Sequence, residues 1–206
     1  MNRHREVIYR RRRKAMELET GIVDIEAMVD RTIREEARRL VGIHASGYKE
    51  GWNTEQLVKD VVTMLGLNDQ DKATLATDIS SYQSDSAVES RLTEVFQAAY
   101  TAKQGEFGPM FQPVLQSVYL RNIDMLWVEH LNTMQELRTG IGLQGYAQND
   151  PLVAYKAEGY KLFQRLLTGI DEQTVRTIFR VEKVETVPID AQETTPEVET
   201  NASIGG

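Results

Sequence analysis

The sequence contains no cysteine, which excludes disulfides and thiolate metal sites and fits a reducing compartment. It contains only 5 prolines in 206 residues, and no apolar run approaches the length needed to span a bilayer. The basic N-terminus is not followed by the apolar segment of a secretory signal. There is no phosphate loop of the form GxxxxGK[ST], so ATP hydrolysis by this chain alone is not expected. His130 has no second histidine four residues away, which excludes a helical HExxH zinc site.

What is present is ordinary helical-protein composition: 41% hydrophobic, 27% charged and 7% aromatic residues. The net charge of −7 argues against nucleic acid as the partner of the whole chain. The charge is uneven. The first fourteen residues hold seven Arg or Lys against one Glu, while the last stretch is acidic.

Apolar spacing predicts an all-α fold. From Arg3 to about Ile43 a single long helix is expected, with Val7, Ile8, Ala15, Ile22, Ile25, Val29, Ile33 and Leu40 on one face. Gly21 weakens its middle by about 1 kcal/mol relative to Ala and marks a place for a bend or break. Shorter elements follow: Asn53 is placed to cap a helix carrying Leu57, Val58, Val61 and Leu65, and a further helix is expected over 87–102. Gly66 to Asp71 reads as a breaker and Ser80 to Ser86 as a polar linker. Residues 186–206 are too polar to bury a core and are expected to be disordered.

The most informative stretch runs from Leu131 to Pro151. Leu120, Ile123, Leu126, Trp127, Leu131, Met134 and Leu137 keep a helical period into Gly140. The period resumes with Tyr160, Phe163, Leu166, Ile170, Val175 and Ile178, so an antiparallel hairpin of two helices is expected. Its tip, 140–151, holds Gly140, Gly142 and Gly145, with Asp150-Pro151 suited to start the second helix. Tyr146 sits at that tip, where little core is available to it. His130 reads as an interhelical histidine rather than a catalytic one, and His4 and His44 as isolated. The run Arg10-Arg11-Arg12-Arg13-Lys14 reads as a solvated face or a docking strip for an acidic neighbour. With only Tyr9 nearby to stack on bases, the nucleic-acid reading is the weaker one.

The segment LWVEHLNTMQELRTGIGLQGYAQNDPLVAYKAEGYKLF resembles the two-helix finger of the SecA family, the ATPase motors of bacterial preprotein export. The family pattern LW-x-x-HL-x-x-M-x-x-LR-x-GI-x-LRGYAQ-[KR]-DPL-x-x-YK is met at Leu126, Trp127, His130, Leu131, Met134, Leu137, Arg138, Gly140, Ile141, Leu143, Gly145, Tyr146, Ala147, Gln148, Asp150, Pro151, Leu152, Tyr155 and Lys156. Gln144 and Asn149 depart from it, each standing where a basic residue is usual. Independently, Met1-Asn2, Arg5-Glu6-Val7-Ile8-Tyr9 and Arg12-Arg13 resemble the start of that family's helical scaffold.

The resemblance implies a division into a long scaffold helix (1–44), a helical wing domain (45–107, by position alone), a scaffold continuation with the finger (108–185) and a tail (186–206). It implies that Tyr146, with Leu143 and Gln144 beside it, contacts the unfolded preprotein and the SecYEG channel. Arg10, Arg11, Arg12 and Arg13 would dock this region onto motor domains that bind ATP and magnesium. No cofactor, no metal and no nucleic acid are expected for this chain itself. The expected location is cytoplasmic and peripheral to the inner face of the plasma membrane, with anionic lipid as a further contact. The zinc-binding tail common in the family is not expected, for want of cysteine. The alternative is a free-standing helical protein that binds RNA or a membrane surface through its basic strip.

Overall fold

The computed structural model describes residues 1–17, 20–143 and 150–183. These form seven α-helices and no strand: α1 (Asn2–Ala15), α2 (Thr20–His44), α3 (Thr54–Leu65), α4 (Asp69–Ser81), α5 (Asp85–Phe107), α6 (Phe111–Leu143) and α7 (Pro151–Arg180). Short 3-10 turns at Lys49–Gly51 and Gly108–Met110 join α2 to α3 and α5 to α6. The all-α fold is the one the apolar periods predict. The expected disorder of 186–206 concerns residues outside the described ones.

The helices start where short polar side chains replace missing backbone partners. Asn53 accepts from the Gln56 amide at 3.1 Å, Asn68 from the Asp71 amide at 2.9 Å, and Ser84 from the Ala87 amide at 3.3 Å. Gly66 closes α3 at φ 66°, a left-handed conformation that glycine adopts without a Cβ penalty.

Two expectations are corrected. The N-terminal helix is divided, with α1 ending at Ala15 and α2 beginning at Thr20. The break is tied down: the Gln116 side chain donates to the Ala15 carbonyl at 2.7 Å, and Lys14 pairs with Asp24 at 2.6 Å. The second correction is α4, which begins inside the stretch read as a breaker (66–71), crosses 72–79, for which no element was expected, and ends inside the stretch read as a linker (80–86). Only Leu75 and Ile79 of α4 are buried, too few to set a visible period.

Partners distant in sequence fix the directions of packing. Along α6 and α7, Asn122 meets Thr174, Leu126 meets Gly169, His130 meets Phe163 and Met134 meets Gly159. As one number rises the other falls, so the pair is antiparallel. Helix α1 lies antiparallel to α6, through His4 with His130, Arg12 with Asp124 and Ala15 with Gln116. Helix α2 runs parallel to the base of α7, with Arg31 reaching Asp171 at 3.4 Å and Arg176 near Glu36 at 3.8 Å. Against α5 it is antiparallel, through Gln97 with Asp30 and Arg38 with Glu89.

The buried side chains form one cluster that takes in α1, α2, α3, α4, α5 and the bases of α6 and α7. Residues 45–107 contribute Leu57, Val61, Leu75, Ile79, Leu92 and Phe96 to it. Burial of this apolar area is what holds helices that would be marginal alone.

Candidate functional site

The feature that stands apart is the far half of the α6–α7 hairpin. On α6 the buried positions Leu115, Tyr119, Ile123, Trp127, His130 and Met134 recur at three or four residues, then stop. On α7 burial begins at Gly159 and continues through Phe163, Leu166 and Ile170. No described side chain beyond Met134 on α6, or before Gly159 on α7, is buried. From Met134 to Leu143 the helix extends about 14 Å past the last buried contact. The hairpin therefore projects from the cluster.

Tyr160, expected in the helix interface, is 63% exposed. The seam position belongs instead to Gly159, where a Cβ would stand 3.0 Å from the Met134 methyl. Glycine lets the two helices approach closely at the last buried layer. Helix α7 begins as expected: Asp150 accepts from the Leu152 amide at 2.8 Å and Pro151 occupies the first helical position. Tyr146 and Gln144 lie outside the described residues. Leu143 ends α6, and its side chain is likewise outside them.

At the root of the projection is a histidine pair. His4 Nδ1 lies 3.1 Å from His130 Nε2, and the His4 ring stacks on Phe163 with centroids 4.1 Å apart. His130 is buried, as an interhelical histidine should be. His4, expected to be isolated, is its partner, joining α1 to both hairpin helices. Burial pushes the His4 pKa down to about 4, and burial lowers His130 as well. His44, also expected to stand alone, pairs with Asp60 at 2.9 Å.

The basic strip divides in two. Arg11 donates to Tyr119 and to Asp171, while Arg12 grips Asp124 with two nitrogens at 2.8 and 3.3 Å. These two residues dock α1 on the hairpin of the same chain. Arg10 and Arg13 are exposed and, with Glu6 and Tyr9, line a shallow outward depression. Asp171, which takes both Arg11 and Arg31, was not singled out by sequence. Its burial raises its pKa, with the two guanidinium groups opposing. Nothing local in the sequence marks it, because its partners lie on α1 and α2.

Among the described residues no group of three His, Cys, Asp or Glu is placed to hold a metal ion. No described helix is long and apolar enough to cross a membrane. The described residues form an all-α scaffold in which the α6–α7 pair runs on past the last buried layer.

Comparison with known proteins places it more closely. Residues 1–182 match the SecA wing and scaffold domain. The chain is 35% identical to the protein translocase subunit SecA of Syntrophobacter fumaroxidans over 187 residues, 88% of this chain and 21% of that protein. Against the same-named subunit of Dehalococcoides mccartyi the identity is 37% over 186 residues, 88% of this chain and 18% of the relative. For Clostridium botulinum strain Loch Maree it is 32% over 202 residues, 98% and 23% respectively. The chain belongs to the SecA wing and scaffold family. It spans about a fifth of the length of these curated relatives.

Proposed function

We propose that this chain is the helical scaffold, wing and two-helix finger of a SecA-like translocase subunit, and that its hairpin tip contacts preprotein and the SecYEG channel during export. The observation that carries the reading is the projecting α6–α7 hairpin, tied at its base to α1 and α2 and bearing the finger motif in its sequence. Tyr146 supplies a ring that grips a passing chain through apolar area and one hydroxyl, with little demand on sequence. Leu143 and Gln144 flank that contact. ATP hydrolysis, with magnesium, is assigned to nucleotide-binding domains of the complete protein, because this chain has no phosphate loop. Arg10 and Arg13 are the strip residues left exposed for docking on those domains, whereas Arg11 and Arg12 already hold α1. The location that goes with this role is the cytoplasmic face of the membrane, with peripheral association.

A Tyr146→Ala substitution in a complete SecA containing this region tests the tip. Transport is expected to fall while basal ATPase is retained; unchanged transport would overturn the contact role. For the chain itself, capture by SecYEG in nanodiscs is expected, and deletion of residues 140–150 should abolish it.

A further inference from the structure

An open groove of about 430 Å³ runs along α5 on the side facing the α3–α4 connection. Leu67, Leu75, Val95, Ala98, Ala99 and Ala102 line it. The three alanines leave the α5 surface low enough for a chain to lie against it. The volume is in the range of sites that take apolar groups, about 300–1,000 Å³. Two cations stand along it on α5: Arg91 at one end, paired with Asp78 at 2.8 Å and Glu94 at 3.4 Å, and Lys103 at the other, paired with Glu106 at 3.0 Å, so the groove's basic ends are already partly neutralised.

The described chain ends at this groove's Lys103 end. Lys103 Nζ donates to the Val181 carbonyl at 2.9 Å, and the Lys183 backbone hydrogen-bonds the Glu106 carboxylate. The sequence that follows is Val184-Glu185-Thr186-Val187-Pro188-Ile189-Asp190. It places three consecutive apolar residues between two carboxylates.

We propose that the α5 groove is the docking site for Val187-Pro188-Ile189 of the same chain, with Glu185 facing Lys103 and Asp190 facing Arg91. The spacings agree. Extended chain from Glu185 to Asp190 covers about 17 Å, and twelve helical residues from Arg91 to Lys103 rise about 18 Å. Proline suits the role: it biases Val187 toward extended backbone, and it has no N–H to leave unpaired on an apolar floor. The covalent tether at Lys183 supplies the segment at millimolar effective concentration, so modest apolar contact populates the docked state.

The absence of cysteine makes the test direct. A Gln192→Cys variant carries a single nitroxide, and amide signals of the isotope-labelled 206-residue chain are compared before and after its reduction. Several-fold loss of intensity at Ala98, Ala99 and Ala102 is expected, and Val187→Asp with Ile189→Asp should restore it. No loss at these alanines, or a loss that survives the double substitution, overturns the proposal. Mixing labelled chain that lacks nitroxide with unlabelled chain that bears it separates the two sources. Loss in the mixture would mean that a second copy fills the groove, which also overturns docking within one chain.

Discussion

Gly21 puts two physical effects in opposition. Helix propensity favours alanine over glycine by about 1 kcal/mol in a helix interior. A Cβ at Gly21, however, would stand 2.6 Å from the Lys14 carbonyl oxygen and 2.9 Å from that of Ala15. Both are backbone atoms, so relief requires the α1–α2 break to shift. Overpacking of this kind costs about 1–3 kcal/mol. Gly21→Ala is therefore expected to lower the urea midpoint rather than raise it, and an increase would show that the break is soft. The histidine pair makes a pH prediction. With both pKa values below the ordinary 6.5, the unfolded chain binds more protons than the folded one as pH falls below that value. Stability is then present above pH 6.5 and drains away as pH falls toward 4. His4→Phe keeps a ring on Phe163 without the titration, so its melting temperature should drop less than the wild type's between pH 7 and 5. Equal drops would refute the linkage.

At the scale of elements, α1 is held by few but specific partners. Asp171→Ala leaves Arg11 partly buried without its carboxylate and is expected to cost about 1–3 kcal/mol. Amide exchange should rise along α1 before it rises in α5. Asp150→Ala removes the cap of α7 and should cost about 1 kcal/mol, read as faster exchange in the first turn after Pro151. These elements also show what a sequence reveals. Helices α6 and α7 were legible because each buries one face over many turns, and the caps at Asn53 and Asp150 because capping is local chemistry. Helix α4 was hidden because DQDKATLATDISS buries two side chains and its cap, Asn68, lies in a stretch rich in breakers. The division of the first helix was half legible: Gly21 marked a place for a break, while the apolar spacing runs through it unbroken. What fixes its place is the Gln116 side chain on the Ala15 carbonyl, 101 residues away in sequence, together with the close packing around Gly21. His4 and Asp171 were invisible for the same reason: distant contacts leave no local period. The tip residues Tyr146 and Gln144 rest on motif alone, since they lie outside the described structure.

For the whole molecule, the single buried cluster bears on how it unfolds. The 45–107 segment looks separable in sequence, yet α5 packs on α2 and α7 and shares Phe96 and Phe179 in a ring contact of 6.0 Å. Trp52 reports on the α2–α3 side and Trp127 on the hairpin root. In the Trp127→Phe variant, where Trp52 is the reporter, fluorescence and far-UV circular dichroism should therefore give coincident urea midpoints. A lower midpoint reported by Trp52 would mean that the segment melts as its own unit.

The hairpin has a mechanical consequence as well. Helix α6 has 33 residues and α7 has 30, and both pass unbroken from the exposed end to the cluster. A pull on the far ends of α6 and α7 is thus carried down two stiff rods, side by side, to where Arg11 and Arg31 clasp Asp171. Such a load shears the root contacts together instead of peeling them one at a time. Two helices paired in this way bend sideways more readily than they shorten along their axis, the compliance of a pushrod rather than of a hinge.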